Sequence, residues 1–220
     1  MQIAVDGPAG AGKSTIAKIV AKALGIQYLD TGAMYRAITY GVLSRGIDFD
    51  DQAAVTDLAE HSEIRFDGAE VFLDGVRVTE EIRTPEVSRN TSKVACIAAV
   101  RRCMVAQQQA IAKAQSVIMD GRDIGSVVLP KADYKFYLDA SVAERAKRRY
   151  EELLAKGTTD KTLAEIKEDI VTRDYNDSHR TEGPLVCTED AVVVDTTGMD
   201  IQAVSDYLLS VVKKGGHCGL

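Results

Sequence analysis

The sequence predicts an α/β protein built on a doubly wound, mostly parallel sheet with a small antiparallel β insertion. Three observations carry this prediction. Short apolar runs alternate with longer segments of helical periodicity along most of the chain. The first such run feeds a glycine-rich turn and then an amphipathic segment. One stretch, 64–79, instead shows short β-type runs separated by two Asp-Gly steps. Strands separated by helices imply parallel pairing, with helices covering both faces of the sheet.

Taken in order, Gln2-Ile3-Ala4-Val5-Asp6 reads as a buried strand entering a loop. From Lys13 to Leu24 the apolar residues Ile16, Ile19, Val20, Ala23 and Leu24 fall at helical spacing, and Gly25 is placed to cap that helix. Tyr28-Leu29 is a second short strand ending at Asp30-Thr31-Gly32, and a helix from Ala33 to Ser44 closes at Gly46. Ile64-Arg65-Phe66, Val71-Phe72-Leu73 and Val76-Arg77-Val78, broken by Asp67-Gly68 and Asp74-Gly75, form an antiparallel meander. One long helix is expected from Thr91 to Lys113, with Val94, Ile97, Ala98, Met104, Val105 and Ile111 inward. Val117-Ile118-Met119-Asp120 and Tyr134-Lys135-Phe136-Tyr137-Leu138 are further buried strands. Charged helices follow at Val142–Ala155 and Thr162–Tyr175, then a last strand at Ala191–Asp195 and a last helix at Ile201–Lys213.

Composition narrows the function classes. The 220 residues are 45% hydrophobic and 27% charged, enough for one domain with a core of real size. The net charge is −6 and the longest Lys/Arg block is the three residues Lys147-Arg148-Arg149, which disfavours stable nucleic-acid binding. No apolar stretch approaches the length of a membrane span. Cys96, Cys103, Cys187 and Cys218 show no CxxC pair and no zinc-like spacing with histidine, so reduced, structural thiols are expected. With Met1 leading straight into a strand, no signal peptide is expected and the reading is cytoplasmic. No function is assigned to the tail Gly215-Gly216-His217-Cys218-Gly219-Leu220.

The chemistry begins at Gly7-Pro8-Ala9-Gly10-Ala11-Gly12-Lys13-Ser14, a full match to G-x-x-x-x-G-K-[ST], followed by Thr15. Glycines let backbone N–H groups turn inward around a phosphate, and the following helix points its positive end at it. Lys13 supplies a full charge toward the β and γ phosphates, and Ser14 is placed to coordinate Mg²⁺. The motif predicts ATP with Mg²⁺ but not the fate of the γ-phosphate. A GTPase switch is disfavoured. Its N/T-K-x-D box is absent, and Lys131-Ala132-Asp133 follows Leu129-Pro130 rather than Asn.

Two arginines follow strand ends in acidic, glycine-containing contexts: Arg36 in Asp30-Thr31-Gly32-Ala33-Met34-Tyr35-Arg36, and Arg122 in Asp120-Gly121-Arg122-Asp123-Ile124-Gly125. The guanidinium fork suits a dianionic phosphate, and strand ends are where open α/β sheets place ligands. A surface ion pair is the bland reading for either one alone. Asp120 is read as a holder of magnesium waters or, equally, as a turn cap.

GPAGAGKST, DTGAMYR, the Asp-Gly-rich insertion, DGRDIGSVVLP and RDYNDSHR together resemble the bacterial cytidylate kinase family, in order from residue 2 to about 212. The resemblance implies a P-loop kinase core with a helical lid, acting as a phosphotransferase from ATP to CMP or dCMP. It implies a single kinase domain over 1–220: core about 1–60, 91–147 and 181–212, an acceptor-binding insertion about 64–90, and a lid about 148–173. It assigns Arg36 and Arg122 to the CMP phosphate, Ser92, Arg101, Asp123 and Arg180 to the cytosine edge, and Arg173 and Asp177 to the ribose and the closing side. Catalytic roles fall to Lys13, Arg36, Arg122 and Asp123. Arg173, Asp177 and Arg180 at i, i+4 and i+7 would share one helix face. Without the resemblance, that spacing reads as a solvated salt-bridged face. Thr31 stands where some members carry Ser, which keeps the hydroxyl. Arg145, Arg148 and Arg149 are candidates for ATP phosphates or a plain basic helix face. Monomer is the expected state, with no membrane or nucleic-acid partner.

Overall fold

The computed structural model describes residues 1–155, 157 and 159–215. The last five residues of the tail, Cys218 among them, lie outside the described residues. The chain divides into two compact units, one formed by Met1–Tyr28 with Ser116–Leu220, the other by Leu29–Gln115.

The first unit is organised by a five-stranded sheet of order β2-β6-β1-β7-β8. Its strands are β1 (Gln2–Asp6), β2 (Gln27–Asp30), β6 (Val117–Asp120), β7 (Tyr134–Asp139) and β8 (Val192–Asp195). β1 runs parallel to β6 and β7, with Val5 opposite both Asp120 and Phe136, and β7 runs parallel to β8. β6 is buried at every position and β1 at all but its first, as expected of strands covered on both faces. α1 (Lys13–Leu24) and α8 (Ile201–Lys213) share one apolar cluster with Ile3, Val5, Ile118, Phe136 and Leu138. The inward face of α1 is rotated from the expected one. Ala17 and Ala21 are buried beside Ile16 and Val20, while Ala23 is exposed.

α6 (Val142–Ala155) and α7 (Leu163–His179) form a helical pair with its own small cluster of Ala146, Ile166 and Ile170, flanked by Val142, Tyr150 and Leu153. Thr162 and Glu165 form a reciprocal capping box at the start of α7. α7 ends at His179, so Arg180 is not on it: its backbone is extended, with φ −69° and ψ 146°. Arg173 and Asp177 therefore share one face of α7 at i and i+4, and Arg180 lies off the helix.

The second unit contains α2 (Thr31–Ser44), α3 (Gln52–His61), the antiparallel sheet β3-β4-β5 (Ile64–Asp67, Glu70–Leu73, Val76–Arg77), α4 (Pro85–Ala95) and α5 (Ala98–Ala114). The Asp-Gly steps turn as expected, with positive φ at Gly68, Asp74 and Gly75. The single helix expected over 91–113 is two helices. Ile97 is extended at φ −76°, ψ 114°, which breaks the run without any Pro or Gly. α4 starts earlier than expected because Thr84 caps it, accepting from the Val87 N–H, and Pro85 occupies its first turn. In α5 the inward positions are Val100, Met104, Gln108 and Ala112, a spacing of four, rather than Val105 and Ile111. Cys96, Cys103 and Cys187 are free thiols, as expected of reduced cysteines; Cys96 and Cys187 are exposed and Cys103 is half-buried.

Candidate functional site

The loop after β1 is shaped by positions where only glycine fits. Gly7 has φ 142°, and a Cβ there would lie 2.0 Å from the Leu138 carbonyl oxygen. Gly12, at φ 87°, is the N-cap of α1 and provides no side-chain cap, so the N–H groups of the first turn face the loop. Residues 7–15 thus make a tight glycine-rich turn into the N-terminus of α1. Arg145 and Asp174 hold it from outside: Arg145 Nη1 donates to the Ala9 carbonyl at 3.0 Å, Asp174 Oδ1 accepts from the Ala9 N–H at 3.4 Å, and the two side chains are paired.

Lys13 is buried, with Nζ donating to the Pro8 carbonyl at 2.7 Å. Burial pushes its pKa well below the ordinary lysine value, Arg122 and Arg173 push further, and Asp120 and Asp6 oppose them. Ser14 Oγ donates to Asp120 Oδ2 at 2.8 Å, and the Tyr28 hydroxyl donates to Asp120 Oδ1 at 2.7 Å. Asp120 is therefore held as an acceptor beside the Ser14 hydroxyl, and neither bond is the turn cap considered from sequence.

On the same side of the sheet, Arg122 Nε donates to Asp177 Oδ2 at 2.7 Å. Arg180 places Nη1 at 3.8 Å from Asp177 Oδ1 and Nη2 at 3.9 Å from Asp123 Oδ1. Burial works to raise the Asp177 pKa, but Arg122, Arg173 and Arg180 together hold it below its ordinary value. Thus Lys13, Ser14, Arg122, Asp123, Arg173, Asp177 and Arg180 belong to one electrostatic cluster of the first unit. Two arginines are otherwise committed. Arg148 bonds Glu144 and the Thr196 side chain and carbonyl, while Arg149 makes an exposed pair with Glu152.

Thr31, Arg36, Ser92 and Arg101 belong to the second unit. Asp30 caps α2 by accepting from the Ala33 N–H at 2.9 Å through Oδ1, while its Oδ2 accepts from Arg36 Nη2 at 2.8 Å. One carboxylate thus starts the helix and aims the arginine. Thr31 is buried in the first turn of α2. Arg101 is 3% exposed, its guanidinium 5.6 Å from the Tyr35 ring centroid. Ser92 is exposed on α4. Asp6, Tyr28, Asp30 and Asp174 escaped the sequence reading. Asp30 and Asp174 carried a signal, since each lies in a quoted motif. Tyr28 and Asp6 did not, because only the fold brings them to their partners.

A parallel sheet whose first strand opens into a glycine-rich, lysine-bearing loop, with a carboxylate at the adjacent strand end, defines a P-loop nucleotide-binding fold. The shikimate kinase of Bacteroides thetaiotaomicron shares this fold at a TM-score of 0.50 and 13% identity over 97% of this chain and 98% of that one. An uncharacterised Eubacterium ventriosum protein shares it at a TM-score of 0.53 and 11% identity, covering 97% of this chain and 98% of that one.

The cytidylate kinase family model matches residues 3–214. A cytidylate kinase of Clostridioides difficile (strain 630) is 55% identical over 96% of this chain and 97% of its own. Another, from Caldanaerobacter subterraneus subsp. tengcongensis, is 50% identical over 97% of this chain and 95% of its own. The chain belongs to the cytidylate kinase family.

Proposed function

We propose that each residue cluster described above serves one half of a phosphoryl transfer between nucleotides. The chain is a (d)CMP kinase: it transfers the γ-phosphoryl group of ATP to CMP or dCMP, giving ADP and CDP or dCDP. The observation that carries this is similarity to cytidylate kinases at about half identity over nearly the whole chain, spanning the phosphate nest and the acceptor motifs alike.

The loop of residues 7–15 holds the ATP phosphates through the backbone N–H groups of its non-proline residues, and the polyphosphate charge offsets the burial that disfavours a charged Lys13. Ser14 and Asp120 offer a hydroxyl and a carboxylate oxygen side by side, a hard-oxygen pair that fits Mg²⁺, which keeps most of its waters and takes few protein ligands. When bound, Mg²⁺ supplies neutralisation of the phosphate oxygens. Arg36 and Arg122 serve the acceptor phosphate, and Thr31, five positions before Arg36 at the start of α2, serves the same substrate. Ser92, Arg101, Asp123 and Arg180 read the cytosine edge, and Arg173 and Asp177 serve the ribose and the closing side. The 64–90 insertion serves the acceptor and 148–173 is a lid. Because the acceptor phosphate is already largely ionised at neutral pH, no general base is needed. Catalysis rests on positioning and charge stabilisation.

The reading includes a cytoplasmic monomer that engages small nucleotides and no nucleic acid. Among the described residues no helix is long and apolar enough to cross a membrane. The test is a coupled assay of ADP release with MgATP and CMP, dCMP, UMP, AMP or shikimate. CMP and dCMP should turn over far above ATP alone, AMP and shikimate should not, and acceptor-independent hydrolysis as fast as that with CMP would sink the proposal.

A further inference from the structure

Asp6 is a buried carboxylate that none of the roles above uses. It is the last residue of β1, 5% exposed, and the chain passes directly from it into Gly7 of the phosphate nest. Its Oδ1 accepts from the Ile124 N–H at 2.8 Å and its Oδ2 from the Gly125 N–H at 2.7 Å. These are the two amides immediately after Asp123, at the opening of the π-helical turn Ile124–Val128. The same loop is tied once more to β1, where the Gly121 N–H donates to the Val5 carbonyl at 3.0 Å. Asp123 sits in an unusual backbone conformation, φ −139° and ψ 27°. Such a conformation persists when its surroundings over-determine it.

We propose that Asp6 is a specificity-positioning residue: its carboxylate clamps the amides of Ile124 and Gly125 and so fixes Asp123 for reading the acceptor base. The proposal rests on the assignment of Asp123 to the cytosine edge made above. Two parallel charge-assisted bonds from one rigid side chain leave the following turn little rotational freedom. Gly125 keeps the approach close, since a Cβ there would lie 3.3 Å from Asp6 Oδ2 and 3.2 Å from Lys135 Cδ. Because Asp6 also begins the phosphate nest, one residue sets the register between the donor-gripping loop and the base-reading loop.

The clamp needs an ionised carboxylate, with both oxygens as acceptors. Burial, helped by Asp123, outweighs the two amide bonds and Lys13 and raises the Asp6 pKa to about 6. The titratable groups that face it are Lys13 on α1, Asp123 in the loop after β6, and Tyr137 on β7 and Cys187, both of which feel its charge. Lys135 lies against Gly125 and is paired with Asp190. Protonated Asp6, like Asn, has one acceptor oxygen left and turns a donor toward the other amide.

The experiment compares Asp6→Asn and Asp123→Ala with the wild type on CMP and UMP at saturating MgATP, with thermal unfolding of each variant. Asp6→Asn should raise KM for CMP about tenfold and lower the CMP-to-UMP ratio of kcat/KM several-fold, with KM for ATP within twofold of wild type. A folded Asp6→Asn with wild-type KM for CMP and wild-type ratio overturns the clamp. If that variant does not fold, the wild-type ratio is followed from pH 7.5 to 5.5. A fall through about pH 6 supports the proposal and a flat ratio overturns it, because ionisation of the CMP and UMP phosphates cancels in the ratio. Asp123→Ala separates the two levels. If it keeps the wild-type ratio, the base-reading assignment itself fails, and the proposal with it. If it lowers the ratio while Asp6→Asn does not, the assignment stands and only the clamp is lost.

Discussion

Arg122 and Asp177 form a half-buried ion pair, Nε to Oδ2 at 2.7 Å, that joins the loop after β6 to α7. Asp177 sits below its ordinary pKa because Arg122, Arg173 and Arg180 outweigh its burial. A depressed folded pKa contributes stability that is fully present above the unfolded value of 3.8 and is lost as pH falls through the lower folded value. Asp177→Asn should therefore cost about 1–3 kcal/mol at pH 7. Urea unfolding should show the gap closing only below pH 3.8. A gap that stays constant into that acid range would assign the loss to packing instead.

Lys13→Ala should lower kcat by about 100- to 1,000-fold while CMP affinity stays near wild type. Lys13 is the first residue of α1, and its Nζ donates to the Pro8 carbonyl at 2.7 Å. Its contribution should thus appear in the transition state rather than in acceptor binding. Calorimetry of CMP binding alongside steady-state rates separates the two, and a large loss of CMP affinity with kcat preserved would remove Lys13 from this role.

Arg36→Ala and Arg122→Ala should each weaken CMP binding by about 10- to 100-fold, the loss of one charge-assisted contact, with ATP affected far less. Arg36→Lys should recover only part of this, because an ammonium cannot copy the fork that Asp30 aims. Equilibrium binding of each nucleotide is the measurement, and equal losses for CMP and ATP would place these arginines elsewhere.

Tyr28→Phe should raise the Mg²⁺ concentration for half-maximal activity about two- to tenfold, the worth of one hydrogen bond. The phenol fixes Asp120 Oδ1 and leaves Oδ2 to Ser14, so its loss loosens the proposed magnesium seat without removing a ligand. Titrating Mg²⁺ at fixed ATP checks this, and an unchanged midpoint with lowered stability would make Tyr28 a packing residue only.

Local chemistry made much of the fold and of the site legible. The phosphate nest is written in consecutive residues, since the glycines, Lys13 and Ser14 act through the backbone turn they themselves make. The meander was visible in its Asp-Gly steps for the same reason. The break at Ile97 was not, because no Pro or Gly marks it and the flanking Ala95, Ala98 and Ala99 favour helix. Arg180 looked helical by spacing and is not, because α7 stops at His179 before the periodicity does. The candidate arginines stood out in their motifs, but their carboxylate partners were not all foreseen.

By itself the sequence determined the α/β class, the glycine-rich loop after β1 and the family, because each is encoded in contiguous or regularly spaced residues. Tertiary structure alone decided that Asp6 meets the amides of Ile124 and Gly125, that Tyr28 and Ser14 share Asp120, and that Arg122 pairs with Asp177. These partners lie 55 to 119 positions apart in the chain. The order of strands in a parallel sheet, β2-β6-β1-β7-β8, brings their ends to one edge. Periodicity reports which face of an element is apolar, but not which distant strand end will lie beside it.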